Sequence, residues 1–153
     1  MLTLGLILLS LAAPVPAKPP RRPAPPPPLP QCVALQVTSP QAETDRSGFS
    51  AGEVLDLRIS TSFRRLTGPH RLELRVYTPQ GFLYQRFAVP FDASSPPSDG
   101  EARRPPRRSV GVRLPVAGTA ITTNSLYGLW RVVPFLDGEA NACGRERTFV
   151  IEQ

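Results

Sequence analysis

The sequence predicts an all-β chain folded as a seven-stranded antiparallel sandwich, and three observations carry that expectation. Apolar and polar residues alternate with a period of two. Turn-forming residues interrupt the chain at intervals of about 10–17 residues. Two cysteines stand at opposite ends of the segment so divided.

The alternation is clearest in three places. In Val54-Leu-Asp-Leu-Arg-Ile-Ser60, Leu55, Leu57 and Ile59 are expected to face the interior while Asp56 and Arg58 face solvent. Arg71-Leu-Glu-Leu-Arg-Val-Tyr77 repeats the pattern with Leu72, Leu74 and Val76 inside, and Ser109-Val-Gly-Val-Arg-Leu114 does so with Val110, Val112 and Leu114. Less regular strands are expected at 32–38, 82–91, 127–136 and 146–152, and no segment sustains a 3.6-residue period. Thr78-Pro79-Gln80-Gly81 predicts a tight type II reversal, with Pro at its second position and Gly at its fourth. Asp137-Gly138 opens the last hairpin. Even spacing would favour a small closed barrel; the spacing here favours two sheets, with the single Trp, Trp130, as an anchor between them.

The 153 residues leave room for one domain, and the N-terminal portion narrows it. Leu2 to Ala13 is an almost unbroken apolar run, shorter than the roughly 20 residues of a membrane-spanning helix. Pro14-Val15-Pro16-Ala17 follows, so residues 1–17 read as a secretory signal peptide, with an uncleaved anchor as the alternative. No Cys lies just after the run, which argues against a lipoprotein signal. Residues 18–30 hold eight prolines in 13 positions. Lacking backbone donors and with φ fixed, such a stretch joins neither helix nor sheet and is expected to be a disordered, extended tether. The domain is then 31–153, interrupted at 92–108 by an Arg- and Pro-rich stretch whose composition predicts a disordered loop.

The formal charge of +6 overstates the domain, because Lys18, Arg21 and Arg22 lie in the tether; without them the balance is +3. That is too mild to imply nucleic acid. Cys32 and Cys143, an even and widely spaced pair in an exported chain, are expected to form a disulfide. Closing so long a loop removes unfolded-state entropy equivalent to roughly 4–5 kcal/mol. Free thiols or half a metal site are the alternatives, but one His in the chain supplies no cluster to complete a metal site.

Phe49-Ser-Ala-Gly52-Glu53-Val54, Leu74-Arg-Val76-Tyr-Thr-Pro79-Gln-Gly81 and Leu126-Tyr127-Gly128-Leu-Trp130-Arg-Val132, followed by Leu136-Asp137-Gly138, together resemble bacterial immunoglobulin-like domains, including the macroglobulin-type modules. The resemblance spans about 90 residues and implies the sandwich. It lacks the thioester motif and the neighbouring modules of the large family members, so it implies little about activity.

Gly48-Phe49-Ser50-Ala51-Gly52 matches the nucleophile-elbow pattern by letter. The elbow needs a strand before it and a helix after it, whereas here a polar turn precedes and an alternating strand follows. The only imidazole, His70, is expected to face solvent at a strand start. Asp137, Glu139 and Asn141 offer oxygens without the spacing of a calcium loop, and read as hydrated turn residues. If the seven strands alternate in direction, Cys32, Cys143, Arg64, Arg65, Arg145 and the stretch carrying Arg103, Arg104, Arg107 and Arg108 gather at one pole. Those arginines are the candidate contact for an anionic partner.

The expected function is therefore non-enzymatic. It is that of a secreted or periplasmic domain in structural, adhesive or envelope-partner contact, with no cofactor, no metal and no membrane span once the signal is removed. Its partner is expected to be an envelope or extracellular protein or an anionic polysaccharide. A periplasmic accessory or inhibitor module is the second reading, and a Ser hydrolase a remote third.

Overall fold

A computed structural model describes residues 31–40, 45–64, 66–94 and 109–153. The expected signal peptide, the tether, Arg65 and the stretch 95–108 with its four arginines lie outside the described residues.

Extended backbone sends successive side chains to opposite faces and leaves its N–H and C=O groups to be paired sideways, so each alternating segment becomes one rung of a sheet. The elements are β1 (Cys32–Thr38), β2 (Gly48–Ser50), β3 (Asp56–Phe63), β4 (Pro69–Tyr77), β5 (Leu83–Asp92), β6 (Ser109–Pro115), α1 (Ala120–Thr123), β7 (Gly128–Leu136) and β8 (Arg147–Glu152). They form a three-stranded sheet in the order β1-β3-β6 and a five-stranded sheet in the order β2-β8-β7-β4-β5. The described residues are all-β apart from the one-turn α1, where Thr119 caps the helix by accepting the Ile121 N–H.

All seven expected strands are present, with ends moved by a few residues. The sequence reading missed β2. Its three residues pair in parallel with Val150, Ile151 and Glu152, a hundred residues away, so nothing local announces it.

The inner faces meet in one core. Val37, Leu57, Ile59 and Leu114 come from the smaller sheet; Leu72, Leu74, Val76, Trp130, Val132, Phe149 and Ile151 come from the larger. Each fully buried side chain of this size contributes about 1.5–3 kcal/mol through removal of apolar surface from water. Trp130 is fully buried, stacks on Phe149, meets Tyr84 edge-on, and donates its indole N–H to the Leu126 carbonyl. It is the anchor that its position predicted.

Three expectations are corrected. Leu55 does not face inward: it is 71% exposed, while its neighbour Val54 is buried. It precedes β3, and its carbonyl accepts the Val116 and Ala117 N–H groups, so the alternation starts only at Asp56. The reversal at 78–81 is not type II, because positive φ falls on Gly81 (+87°) and not on Gln80. Gly81 N–H bonds Thr78 O and Thr78 N–H bonds Phe82 O, and the β4–β5 ladder slips between Val76 and Tyr77 beside this turn. Finally, the irregular stretch does not begin at Asp92, which ends β5; Ala93 and Ser94 are tied to Gly68 by two hydrogen bonds.

Candidate functional site

Antiparallel pairing places the start of β1, the end of β3, the start of β4 and the end of β7 at one pole of the sandwich. There Cys32 and Cys143 are joined by a disulfide, with Cα atoms 5.2 Å apart. The Cys32 N–H donates to the Cys143 carbonyl at 3.0 Å, and the Arg64 N–H donates to the Gln31 carbonyl at 3.2 Å. Arg64 and Arg145 are exposed beside this closure. The structure therefore brings together the two cysteines and two of the expected arginines.

Gly144 was missed by the sequence reading, although it directly follows a cysteine. A Cβ there would sit 2.5 Å from the Cys32 carbonyl oxygen and 2.8 Å from Cys32 Cβ. Only a residue without a side chain lets the bonded loop lie on β1.

His70 occupies the same pole, at the second residue of β4, and it does not simply face solvent. Its side chain is 18% exposed; Nδ1 lies 2.7 Å from the Asp137 carboxylate and Nε2 lies 3.1 Å from the Thr67 carbonyl. Asp137 also accepts the Arg71 N–H at 2.8 Å. Partial desolvation pushes the Asp137 carboxyl up, but the hydrogen bonds from His70 and Arg71 and the His70 charge outweigh it and hold it below its ordinary value. Asp137 and Gly138 both have positive φ, and Glu139 N–H closes the turn on the Leu136 carbonyl. Asp137 is thus a turn and pairing residue. Among the described residues no group of three or more His, Cys, Asp or Glu is placed to hold a metal ion.

Ser50 lies at the other pole. It pairs with Glu152 at the end of β8, and a turn, not a helix, follows it, with the Glu53 and Val54 N–H groups bonded to its carbonyl. A shallow pocket of about 300 Å³ beside it is lined by Arg46 and Glu53 among others. The imidazole and the hydroxyl are not brought together. No helix among the described residues is long and apolar enough to cross a membrane.

The outer faces of the two sheets differ in chemistry. On the larger sheet, Glu73 accepts from Arg75 at 2.6 Å and lies 3.3 Å from Arg86. Arg75 lies 3.9 Å over the Phe135 ring, and Arg131 lies 4.6 Å over Tyr77 while pairing with Glu146. The hydrogen bond to Glu73, against a desolvation effect, holds the Arg75 guanidinium above its ordinary value. On the smaller sheet, the outward residues border a groove of about 530 Å³ that runs over β1, β3 and β6. The sequence reading placed Arg58 outward but gave it no neighbours, because register between distant strands is not visible in a period.

No family model matches the chain, and no curated protein matches it. Among solved structures it is similar to part of the Pseudomonas fluorescens alkylpurine DNA glycosylase AlkC bound to DNA containing an abasic site analog. That match has 15% identity over 80% of this chain and 30% of that one, with a TM-score of 0.46. A putative β-galactosidase from Bacteroides fragilis matches at 14% identity over 78% of this chain and 16% of that one, with a TM-score of 0.41. The chain thus spans less than a third of either protein.

Proposed function

We propose that this chain is an exported, non-enzymatic domain of the immunoglobulin-like kind, similar to macroglobulin-type modules, that holds an envelope or extracellular partner at its disulfide pole. The observation that carries this reading is the closure of that pole. The Cys32–Cys143 bond and the backbone bonds at Cys32 and Arg64 fix Arg64 and Arg145 on one rigid end, and sandwiches commonly bind through end loops held by such a scaffold. Export is supported by the disulfide, which persists in oxidising compartments, and by the apolar run in residues 1–17. The absence of catalysis is supported by the engagement of His70 with Asp137 and Thr67, at the pole away from Ser50.

The test uses the exported full chain as bait against the envelope fraction of its own cells. The chain is expected to retain a partner that the Arg64→Ser/Arg145→Ser double variant loses. Equal recovery by the double variant overturns the reading.

A further inference from the structure

Strand register puts the outward residues of the smaller sheet into three rows that cross β1, β3 and β6. One row is Thr38, Arg58 and Arg113; the next is Gln36, Ser60 and Gly111; the third is Ala34, Ser62 and Ser109. Alternate residues along a strand are about 6.7 Å apart, so the three rows span about 13 Å. The second and third rows carry only small or neutral polar groups, and the first carries two guanidinium groups on directly paired positions. The result is a trough with a polar floor and a cationic wall.

The floor is kept low at Gly111. A Cβ there would meet Ser60 Cβ at 3.1 Å and the Ile59 carbonyl at 3.2 Å, so a side chain would crowd β3 and rise into the trough. The wall is electrostatically unfavourable by itself. Like charges on directly paired positions destabilise a ladder. Asp56, which also lines the trough, makes a long ion pair with Arg113 at 3.8 Å, and among the described residues Arg58 makes none. On the opposite face of the molecule, Arg75, Arg86 and Arg131 each lie against a carboxylate or an aromatic ring.

We infer that this trough is a binding site for an acidic polysaccharide whose sugars carry carboxylates. The guanidinium fork matches a carboxylate with two parallel hydrogen bonds, which two neighbouring arginines could offer to one charged sugar or to successive ones. The Gln36 amide and the Thr38, Ser60 and Ser109 hydroxyls are donors and acceptors of the kind that sugar hydroxyl groups pair with. The trough's lining has no aromatic residue. This site is separate from the disulfide pole and does not depend on the reading given for it.

The test measures binding of the full chain to polygalacturonate, with neutral dextran, dextran sulfate and poly-glutamate as comparison polymers, by calorimetry at low and moderate salt. Polygalacturonate is expected to bind best, and to bind less well as salt rises. Arg58→Ser and Arg113→Ser are each expected to weaken it about tenfold, the effect of losing one charged hydrogen-bonding partner. Both residues are exposed, so the variants should keep the fold, which their thermal unfolding checks. The Arg64→Ser/Arg145→Ser double variant should bind polygalacturonate as the parent does, which separates this site from the pole. Binding unchanged by Arg58→Ser, or binding lost in the pole variant alone, overturns the inference. Equal or tighter binding of dextran sulfate or poly-glutamate overturns the assignment to carboxylated sugars.

Discussion

The two outer faces of the sandwich use the same residue for opposite ends. On the five-stranded sheet three arginines are internally matched: Arg75 and Arg86 share Glu73, Arg75 covers Phe135, and Arg131 spans Tyr77 and Glu146. On the three-stranded sheet Arg58 faces Arg113 across a ladder, and their neighbours are Thr38, Ser60, Gly111 and Asp56, the last 3.8 Å from Arg113. A matched cation adds to the fold and has little left to offer a ligand. A pair with a single distant carboxylate between them, Asp56 at 3.8 Å from Arg113, adds less to the fold and is more available. Counting arginines therefore says nothing about binding; what matters is what each one faces.

The largest effect that separates the faces is expected at Phe135, which is outward-pointing yet only 7% exposed under Arg75. Phe135→Ala should cost roughly 3 kcal/mol in urea unfolding, since it removes a buried ring and the surface on which Arg75 lies. A loss under about 1 kcal/mol would mean that the matched face is only decoration. Glu73→Gln should cost about 1 kcal/mol, seen as a lower melting temperature, because two guanidinium groups lose their shared carboxylate. Melting unchanged by that substitution would show that solvent screens the network. The smallest effect is expected at Arg58→Ser, which should change stability by no more than about 0.5 kcal/mol, in the stabilising direction. A clear destabilisation on the order of 1–2 kcal/mol would show that Arg58 is held by the fold after all, and the contrast between the faces would fail.

Much of the interior could be read from the sequence, and for a physical reason. Burial of one face forces apolar residues to every second position, so Leu57, Ile59, Leu72, Leu74 and Val76 announce themselves without any knowledge of their partners. Two cysteines in a chain of this kind leave a single possible intrachain pairing, and the bond is present. Leu55 misled because the period continues in the letters after the backbone has left the ladder at its N-terminal end. The strand β2 was hidden because three residues paired with β8 owe their conformation to a distant partner. The trough was hidden for a related reason. Alternation says that Arg58 and Arg113 both point outward, but only the register of β3 on β6 makes them neighbours. Outer-face chemistry is a property of pairs, and pairs across a long loop leave no local trace.

The second half of β7 has an unusual neighbour. β8 accompanies β7 only as far as Val132; beyond it the Cys143 N–H bonds the Pro134 carbonyl, so the oxidised loop stands in for the missing strand. Were that loop to swing aside before the sulfurs join, the bared rim would offer acceptors but, at Pro134, no donor. A stray extended segment from another copy would find only half a ladder there, which blunts the templated stacking that exposed rims invite. A ring nitrogen without hydrogen thus stands at the place where the disulfide-bonded loop completes the sheet.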